Sequence, residues 1–461
     1  MRYFFFLLSI ISIACSRQQA NQSKAEVNVT NISTRPNIIL YLTDDMGWGD
    51  AGCYGQTKIL TPHLDRMAAQ GIRFTDAYTG SPVCAPSRST LMEGLHAGHT
   101  RVRNNRSLQR ELVNFNDSTF TVAQLLKDAG YRTGLFGKWG LAEAGTSGIP
   151  NQQGFDTFYG FLDQRKAHYY YVDSLWENEQ EIPVPLSEAQ QYSSADWYFD
   201  KARDFIRKEA VTDAPFFAYI PTQLPHLYMP YEPAEIYKNK PWPVGDKRWA
   251  TMVHTIDQQM GQLLDLVDSL GIAENTLIVF MSDNGGGNGQ RHFYHDVRFF
   301  NSNGPFRGMK RDLFEGGIRV PLIAQWEGVI EAGKVSAEPV AYYDFMATAG
   351  ELAENTPQRT DGTSWVPLLT GKADTLARDY LYWEFPYMDQ PNAKFAVRMG
   401  KWKGVKEWMG GPLQIYNLEE DPEELYNWHY ERADLVEEFE AIIRKEHKPS
   451  PFWPIMGEKK R

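Results

Sequence analysis

The sequence predicts an α/β protein with a large, mixed but mostly parallel sheet sandwiched by helices, and a smaller C-terminal α+β subdomain. Short apolar runs without polar alternation, such as residues 38–42, are typical of strands buried on both faces. Amphipathic helical segments separate these runs, as in sheets with helices on both sides. The chain has 461 residues, which is enough for one large domain and a smaller one.

The predicted elements follow in chain order. Residues 38–42 form a first strand, which ends at the polar stretch TDDMGWGD. Residues 121–129 predict an amphipathic helix, and residues 131–139 predict the next strand. Residues 247–270 carry apolar side chains at helical spacing, and TLIVFM at 276–281 predicts a buried strand that ends at SDNGGG. Because ligands bind beyond the carboxyl ends of strands in such sheets, these polar stretches indicate one composite site.

The alternation of strands and helices fades after about residue 355. We therefore predict a main domain at 36–355 and a smaller subdomain at 356–461. Short strands and turns are predicted at 361–369, 380–385, 394–405 and 413–427, and a helix at 434–445.

The charge of the chain excludes some partners. The formal net charge is −11, and no dense block of lysines or arginines is present, which argues against nucleic acid as a partner and against a membrane-surface patch. An anionic substrate must therefore bind in a local basic pocket.

The N-terminus predicts an export signal at residues 1–15. One arginine precedes an apolar run that is too short to span a bilayer, and small residues lead to Cys15. Ser-Ile-Ala-Cys resembles a bacterial lipobox, which implies cleavage before Cys15, lipidation of its sulfur and a periplasmic or cell-envelope lipoprotein. An ordinary secretory signal is the alternative. The polar residues 16–35 are predicted to be a flexible tether.

Two pairs of oxygen-bearing side chains follow predicted strands. Asp44 and Asp45 follow the first strand, and Asp283 and Asn284 follow the strand at 276–281. Carboxylate and carboxamide oxygens without histidine suit a hard cation such as Ca²⁺. Taken alone, such a pair is more often a turn or a helix cap.

A short motif identifies the family that the chain resembles. Residues 84–88, Cys-Ala-Pro-Ser-Arg, followed by a helix predicted to begin near Ser89, match the Cys-X-Pro-Ser-Arg signature of type I, formylglycine-dependent sulfatases. Further segments match this family in its own order, over roughly residues 36–430: 37–45, Gly137-Lys138-Trp139, Pro225-His226, SDNGG and 307–321. The resemblance implies the alkaline phosphatase-like fold.

The resemblance also implies a modified nucleophile. A sulfatase-maturating enzyme would oxidise Cys84 to formylglycine, whose hydrate attacks sulfur with one oxygen and expels sulfate with the other. One Ca²⁺ ion would be held by Asp44, Asp45, Cys84, Asp283 and Asn284.

By the same resemblance, Arg88, Lys138 and Lys310 neutralise the sulfate and His226 protonates the leaving alcohol. A solvated lysine or an ordinary loop histidine is the alternative for each residue alone. The chain departs from the family pattern Gly-Lys-X-His, because Gly140 stands where many relatives have histidine. His226, His99 and His295 are the conceivable substitutes.

The variant Gly-Lys-Trp-Gly resembles a subgroup of exported bacterial sulfatases that act on polysaccharide sugars. Arg103, Asn104, Arg165 and His168 are predicted substrate contacts on this basis, with exposed loop residues as the alternative. We therefore predict a sulfatase acting on a carbohydrate sulfate ester. A phosphonate monoester or phosphodiester hydrolase of the same superfamily, or a non-catalytic binder of sulfated glycan, remains open.

Overall fold

A ten-stranded mixed sheet runs through the centre of the fold. The computed structural model describes residue 1 and residues 35–185, 192–226, 231–288 and 295–456. The strands are β1 (Asn37–Thr43), β2 (Ile72–Phe74), β3 (Ala77–Tyr78), β4 (Arg132–Lys138), β5 (Thr157–Phe161), β6 (Ser174–Glu177), β7 (Gln180–Pro183), β8 (Phe216–Pro221), β9 (Thr276–Ser282), β10 (Leu322–Gln325), β11 (Lys334–Ser336), β12 (Val340–Ala341), β13 (Leu381–Pro386), β14 (Ala393–Met399), β15 (Trp402–Lys406) and β16 (Gln414–Asn417).

Helices lie between the strands along the chain. The α-helices are α1 (Pro62–Gln70), α2 (Cys84–Glu93), α3 (Val122–Asp128), α4 (Ser194–Glu209), α5 (Glu235–Lys238), α6 (Val244–Ser269), α7 (Val297–Phe300), α8 (Glu315–Ile318), α9 (Asp344–Leu352), α10 (Val366–Leu369) and α11 (Ala433–Glu446). Short 3-10 helices span Gly52–Tyr54, Pro150–Gln152, Lys166–His168 and Ala273–Asn275.

The central strands of the large sheet are parallel. The sheet order is β11-β2-β10-β9-β1-β8-β4-β5-β6-β7, and β9, β1, β8, β4 and β5 run in the same direction. Alternate residues of β1 belong to two separate hydrophobic clusters, with Leu40 in one and Tyr41 in the other, so both faces of the sheet are covered. The predicted fold class is confirmed.

Two predicted helices lie close to their predicted positions. Helix α3 begins after Thr121, whose hydroxyl accepts a hydrogen bond from the amide of Gln124, and Gly130 follows it with a left-handed φ of 85°. Helix α6 covers the predicted segment 247–270 apart from its last residue and begins three residues earlier, at Val244.

Two local predictions are wrong. Helix α2 begins at Cys84 rather than near Ser89, because Pro86 lies in the first turn, where its missing N–H costs no hydrogen bond. The segment 361–369, predicted as strand and turn, ends in the short helix α10, whose second residue is Pro367.

A second sheet of four antiparallel strands, β13 to β16, forms the predicted C-terminal subdomain, and α11 packs against it. Leu435, Phe439 and Ile443 of α11 share a hydrophobic cluster with Phe395 and Ile415 of this sheet. Ile32–Arg461 is assigned to one compact unit, so the boundary at residue 355 stays a prediction.

The predicted export signal at residues 1–15 and most of the tether at 16–35 lie outside the described residues. Within the described part of the chain, no helix combines the length and the apolar character that crossing a membrane requires.

Candidate active site

Four neighbouring strands end at the edge of the sheet where the predicted site residues meet. Strands β1 and β9 are paired so that Thr43 lies opposite Ser282, and Asp44 and Asp283 are the next residues. Lys138 is the last residue of β4, and His226 follows β8. Because parallel strands end at the same edge, segments more than two hundred residues apart in sequence share one site.

Cys84 lies among three carboxylates. One ligand atom from each of Asp44, Asp45, Cys84 and Asp283 lies within 4.8 Å of the other three. The Sγ of Cys84 lies 3.1 Å from Oδ1 of Asp44, and all four residues are buried. Cys84 is the first residue of α2, so helix formation itself directs this side chain towards the carboxylates.

Each carboxylate has a cationic partner. Lys138 donates to Oδ2 of Asp44, and Nζ of Lys310 lies 2.6 Å from Oδ1 of Asp45. The guanidinium of Arg88 donates to Oδ2 of Asp283 through Nε at 3.1 Å and Nη2 at 3.0 Å. Each carboxylate is therefore paired with one cationic side chain, and an added divalent cation would make the site more positive and so better suited to an anionic substrate.

The residues present fit a hard divalent cation. The carboxamide Oδ1 of Asn284 is fully buried and has no hydrogen-bond partner among the described residues, although the Nδ2 atom donates to Asp45. Burial, together with the negative charge of Asp44, raises the pKa of Asp283 to about 7 despite the opposing effect of Arg88. Positive charge from a cation would relieve this repulsion, and oxygen donors suit Ca²⁺.

Asp44 remains ionised. Burial alone would raise its pKa, but Lys138, then His226 and Arg88, lower that pKa well below the usual value. The thiol of Cys84 behaves in the opposite way, because burial and the charge of Asp44 raise its pKa. The side chain is 1% exposed, so the position is less accessible than a helix start on the surface would be.

His226 borders the same cluster. Its Nε2 lies 3.5 Å from Oδ2 of Asp45, and burial together with Lys310 lowers its pKa to about 4, against the opposing effect of Asp45. The ring of His168 stacks on it, with centroids 4.4 Å apart and planes at 7°. Burial and the charge of His226 lower the pKa of His168 to about 2. The sequence indicated His168 only as a substrate contact, whereas the structure pairs it with His226.

The other two histidines considered as substitutes lie in other surroundings. Nδ1 of His99 is 2.8 Å from Oδ2 of Asp361. Nδ1 of His295 is 2.8 Å from Oδ1 of Asp246, and its ring stacks on Trp249. Of the three candidates, only His226 contacts the carboxylate cluster in the described contacts.

Gly140 has a structural reason to lack a side chain. Its φ is 77°, and a Cβ added there would clash with the amide group of Gln164. Gln164 itself donates to the carbonyl oxygen of Gly140 at 3.3 Å. The space beside Gly140 is therefore filled by Gln164, which comes from a different loop.

The predicted substrate contacts divide into two groups. Arg103 is buried and donates to Glu384 at 3.0 Å and to the carbonyl of Lys448, and Asn104 donates to the carbonyl of Pro386 at 2.6 Å. These contacts join the loop after α2 to the C-terminal sheet and to the residues after α11. Both side chains therefore have structural partners, and substrate contact by either stays a prediction. Arg165 is exposed and makes no side-chain ion pair among the described residues.

One further residue at the site was missed by sequence reasoning. Oδ1 of Asn105 accepts a hydrogen bond from the amide of Ala85 at 3.1 Å, which satisfies a free donor in the first turn of α2. The sequence predicts a functional role for its neighbour Asn104, but only the fold shows that Asn105 reaches the helix.

Comparisons with known proteins agree with this geometry. The family described as Sulfatase matches residues 36–355, and that described as N-sulphoglucosamine sulphohydrolase, C-terminal, matches residues 306–448. The N-acetylgalactosamine-6-sulfatase of Rattus norvegicus is 32% identical over 80% of this chain and 71% of its own length. The N-acetylgalactosamine-6-O-sulfatase of Bacteroides thetaiotaomicron is 28% identical over 92% of this chain and 95% of its own.

A solved structure agrees over nearly the whole chain. Ps i-CgsB in complex with k-i-k-neocarrahexaose has a TM-score of 0.80 and 28% identity, covering 92% of this chain and 95% of that one. The family match spans well over half of the chain and includes every predicted catalytic and metal-binding residue. The chain therefore belongs to the sulfatase family and is a sulfuric ester hydrolase.

Proposed function

We propose that the protein releases sulfate from a carbohydrate sulfate ester in a sulfated polysaccharide or a glycosaminoglycan-type sugar. One relative of similar length is named as an N-acetylgalactosamine-6-O-sulfatase, and a related structure is a complex with a neocarrahexaose. The observation that carries the proposal is the position of Cys84, which lies between the carboxylates of Asp44, Asp45 and Asp283 and 3.5 Å from Nζ of Lys310.

The proposed nucleophile is formylglycine made from Cys84 by a sulfatase-maturating enzyme. The raised pKa of the thiol supports this, because an unmodified Cys84 would be protonated and a poor nucleophile at neutral pH. The aldehyde would supply, when hydrated, an oxygen nucleophile at the same position. Asn105, through its bond to the amide of Ala85, holds the helix turn that presents residue 84.

The proposed cofactor is one Ca²⁺ ion held by Asp44, Asp45, Asp283, Asn284 and residue 84. When bound, it would polarise the sulfate oxygens as a Lewis acid. Arg88 donates two hydrogen bonds to Asp283, so its proposed role is to hold this metal ligand in position.

The remaining side chains have roles that their positions support. Lys138 and Lys310 lie on two sides of the carboxylate cluster and can neutralise negative charge on the sulfate. His226 presents Nε2 near Asp45, where it can hold a proton for the departing sugar oxygen. Besides burial, the two lysines lower the pKa of His226. The negative charge of a bound sulfate ester would offset their effect and favour the protonated form of the ring.

The proposal is tested by mass spectrometry of the tryptic peptide 74–88 together with sulfate release. We expect an aldehyde at position 84 after co-expression with a maturating enzyme, and activity proportional to its fraction. Full activity from entirely unmodified Cys84 would refute the proposed nucleophile.

The same preparation separates the alternative functions. We expect faster turnover of an aryl sulfate than of an aryl phosphodiester, and the reverse order would favour a phosphodiester hydrolase. Glycan binding without any sulfate release, in protein that carries the aldehyde, would favour a non-catalytic binder.

We also propose that the protein is exported and anchored through Cys15. The lipobox-like sequence before Cys15 supports this. Labelling with a radioactive fatty acid should be lost in Cys15→Ala, and export of an unlabelled mature protein would indicate an ordinary secretory signal instead.

A further inference from the structure

A cleft of about 470 Å³ lies beside the proposed nucleophile. Its lining includes Val83, which directly precedes Cys84, and Arg311, which directly follows Lys310. Asn105, which binds the amide of Ala85 in helix α2, also lines it. The cleft is therefore built from the same segments that position the nucleophile, and its volume lies in the range of small-molecule sites.

Three arginines in this cleft have no carboxylate partner among the residues that the structure describes. Arg106, Arg110 and Arg311 line it and are exposed, and none forms an ion pair within the described ranges. The one described side-chain hydrogen bond among them joins Arg106 to the carbonyl of Arg110. In a chain with a net charge of −11, such a group is a local attractive site for anions.

Lys394 lines the same cleft but, unlike the three arginines, has carboxylate partners in the described part of the chain. Its Nζ lies 3.2 Å from Oδ1 of Asp312 and 3.5 Å from Oε2 of Glu407, so its charge is balanced inside the protein. The lining contains one carboxylate, Asp389. Three arginines against this one carboxylate therefore leave the cleft with a net positive charge.

The backbone supports a role for two of these side chains. Arg110 and Arg311 have left-handed φ values of 66° and 82°, which glycine or asparagine adopts at less cost than arginine. The amide of Arg311 donates to the carbonyl of Pro82 at 2.9 Å, which fixes its backbone next to the helix with Cys84. Unfavourable backbone conformations of this kind occur preferentially at functional sites.

Part of the cleft lining is apolar. Phe385, Pro386 and Tyr387, from the end of β13 and the following residue, contribute to it. Asn104 binds the carbonyl of Pro386, and the hydroxyl of Tyr387 donates to the carbonyl of Glu407 at 2.8 Å. A cleft lined by both apolar side chains and guanidinium groups suits a sugar ring that carries an anionic substituent, because the C–H face can pack on the apolar side chains while the anion binds arginine.

We propose that this cleft is a subsite for the sugar next to the one that loses sulfate, and that Arg106, Arg110 and Arg311 recognise a second anionic group on that neighbour. The inference rests on the proposed carbohydrate sulfatase function. The preferred substrate is therefore a polyanionic chain, with a sulfate or a carboxylate on adjacent sugars, rather than an isolated sulfate on a neutral chain.

The test uses disaccharides that share one sulfated hexosamine and differ in the neighbouring sugar, which is neutral, sulfated or carboxylated. Affinity is measured by calorimetry on full-length Cys84→Ala protein with Ca²⁺, and kcat/KM by sulfate release from the active enzyme. The variant is R110Q/R311Q, and the matched control is R132Q. Arg132 is exposed and begins β4, at the end of the strand opposite Lys138.

We expect at least one anionic neighbour to improve affinity by about tenfold over the neutral one. In R110Q/R311Q this ratio should fall to within about twofold, while R132Q retains it. Because each ratio is formed within one variant, general effects on folding or chemistry cancel.

Equal affinity for neutral and anionic neighbours, or an equal loss in R132Q, would overturn the subsite. The carboxylated and sulfated arms identify which anion is recognised. Failure to release sulfate from any disaccharide would refute the proposed function, whereas the binding ratios would still decide on the cleft.

Discussion

The imidazole rings of His168 and His226 stack in parallel, with centroids 4.4 Å apart and planes at 7°. His226 is further held by the hydroxyl of Tyr170, which donates to its carbonyl oxygen at 2.6 Å. Burial lowers both pKa values, to about 2 for His168 and to about 4 for His226, and His226 further disfavours a positive charge on His168. A proton added at this stack therefore goes to His226, the ring beside Asp45.

His226→Ala should reduce turnover of a sugar sulfate by about a hundredfold or more, and of a nitrophenyl sulfate by less than about tenfold. A sugar alkoxide needs a proton as its bond to sulfur breaks, whereas nitrophenolate does not. The measurement is kcat/KM on both substrates. His168→Ala is the comparison, since loss of the stack alone should reduce both rates by similar factors. Equal losses in His226→Ala would indicate positioning instead of proton transfer.

Asp283→Asn should remove the response of the protein to calcium. In the wild type, added Ca²⁺ should raise the melting temperature, because the ion binds the folded site alone. The variant keeps the shape of the side chain but loses its charge, so we expect no such rise and at least about a hundredfold lower sulfate release. Asp268→Asn, at an exposed position of α6, is the control. A calcium-dependent melting temperature that survives Asp283→Asn would remove this residue from the metal site.

Gly140→Ala should destabilise the protein more than Gly145→Ala. Both glycines have a φ of 77°, but an added Cβ meets Gln164 at Gly140 and nothing within 4 Å at Gly145. We expect each substitution to lower the free energy of unfolding by about 1 kcal/mol, because alanine adopts this backbone conformation less readily than glycine. The contact with Gln164 should lower it by about 1 kcal/mol more at Gly140. Denaturant unfolding gives both values. In a double-mutant cycle, Gln164→Ala should cancel the extra cost. Equal costs at the two glycines would mean that Gln164 does not exclude a side chain there.

Glu93 should make the stability depend on pH. It is buried at the end of α2, and burial raises its pKa to about 7, against hydrogen bonds from Ser89 and the amide of Arg101. The folded protein then keeps a proton that the unfolded chain releases, so this contribution to stability is complete below pH 4.5 and falls as the pH rises to about 7.

The comparison is with Glu93→Gln, which cannot ionise. Between pH 5 and pH 8, the wild type should lose about 2.5 kcal/mol of unfolding free energy relative to this variant. Urea unfolding of metal-free protein at the two pH values provides the measurement. A difference that stays constant with pH would show that Glu93 has an ordinary pKa in the folded state.

Much of the main sheet could be predicted from the chain itself. A strand that is buried on both faces needs a continuous apolar run. The runs at 38–42 and 276–281 therefore predicted β1 and β9. The polar residues directly after these runs must lie at the edge of the sheet, which is why the aspartates and Asn284 were identified together. Cys84 and Arg88 were identified by their motif, which is local in sequence.

The remaining site features depend on contacts between distant segments. The stack of His168 on His226 joins two loops, and the partners of Arg103 and Asn104 belong to the C-terminal sheet. The spacing of residues along the chain does not indicate contacts between distant loops, because the same residue types also occur in exposed loops without such contacts. The start of α2 at Cys84 was missed because Val83 adopts an extended conformation and Pro86 lies within the first helical turn.

The sequence by itself therefore determined the fold class, the edge of the sheet where the site lies and the residue types that make its chemistry, because apolar runs and short motifs act through neighbouring residues in the chain. Tertiary structure alone decided which histidine contacts the carboxylates, why Gly140 lacks a side chain and which arginines line the cleft beside the nucleophile. These features depend on which loops the packed sheet brings together, and a side chain's burial and charge partners exist only once that packing is complete.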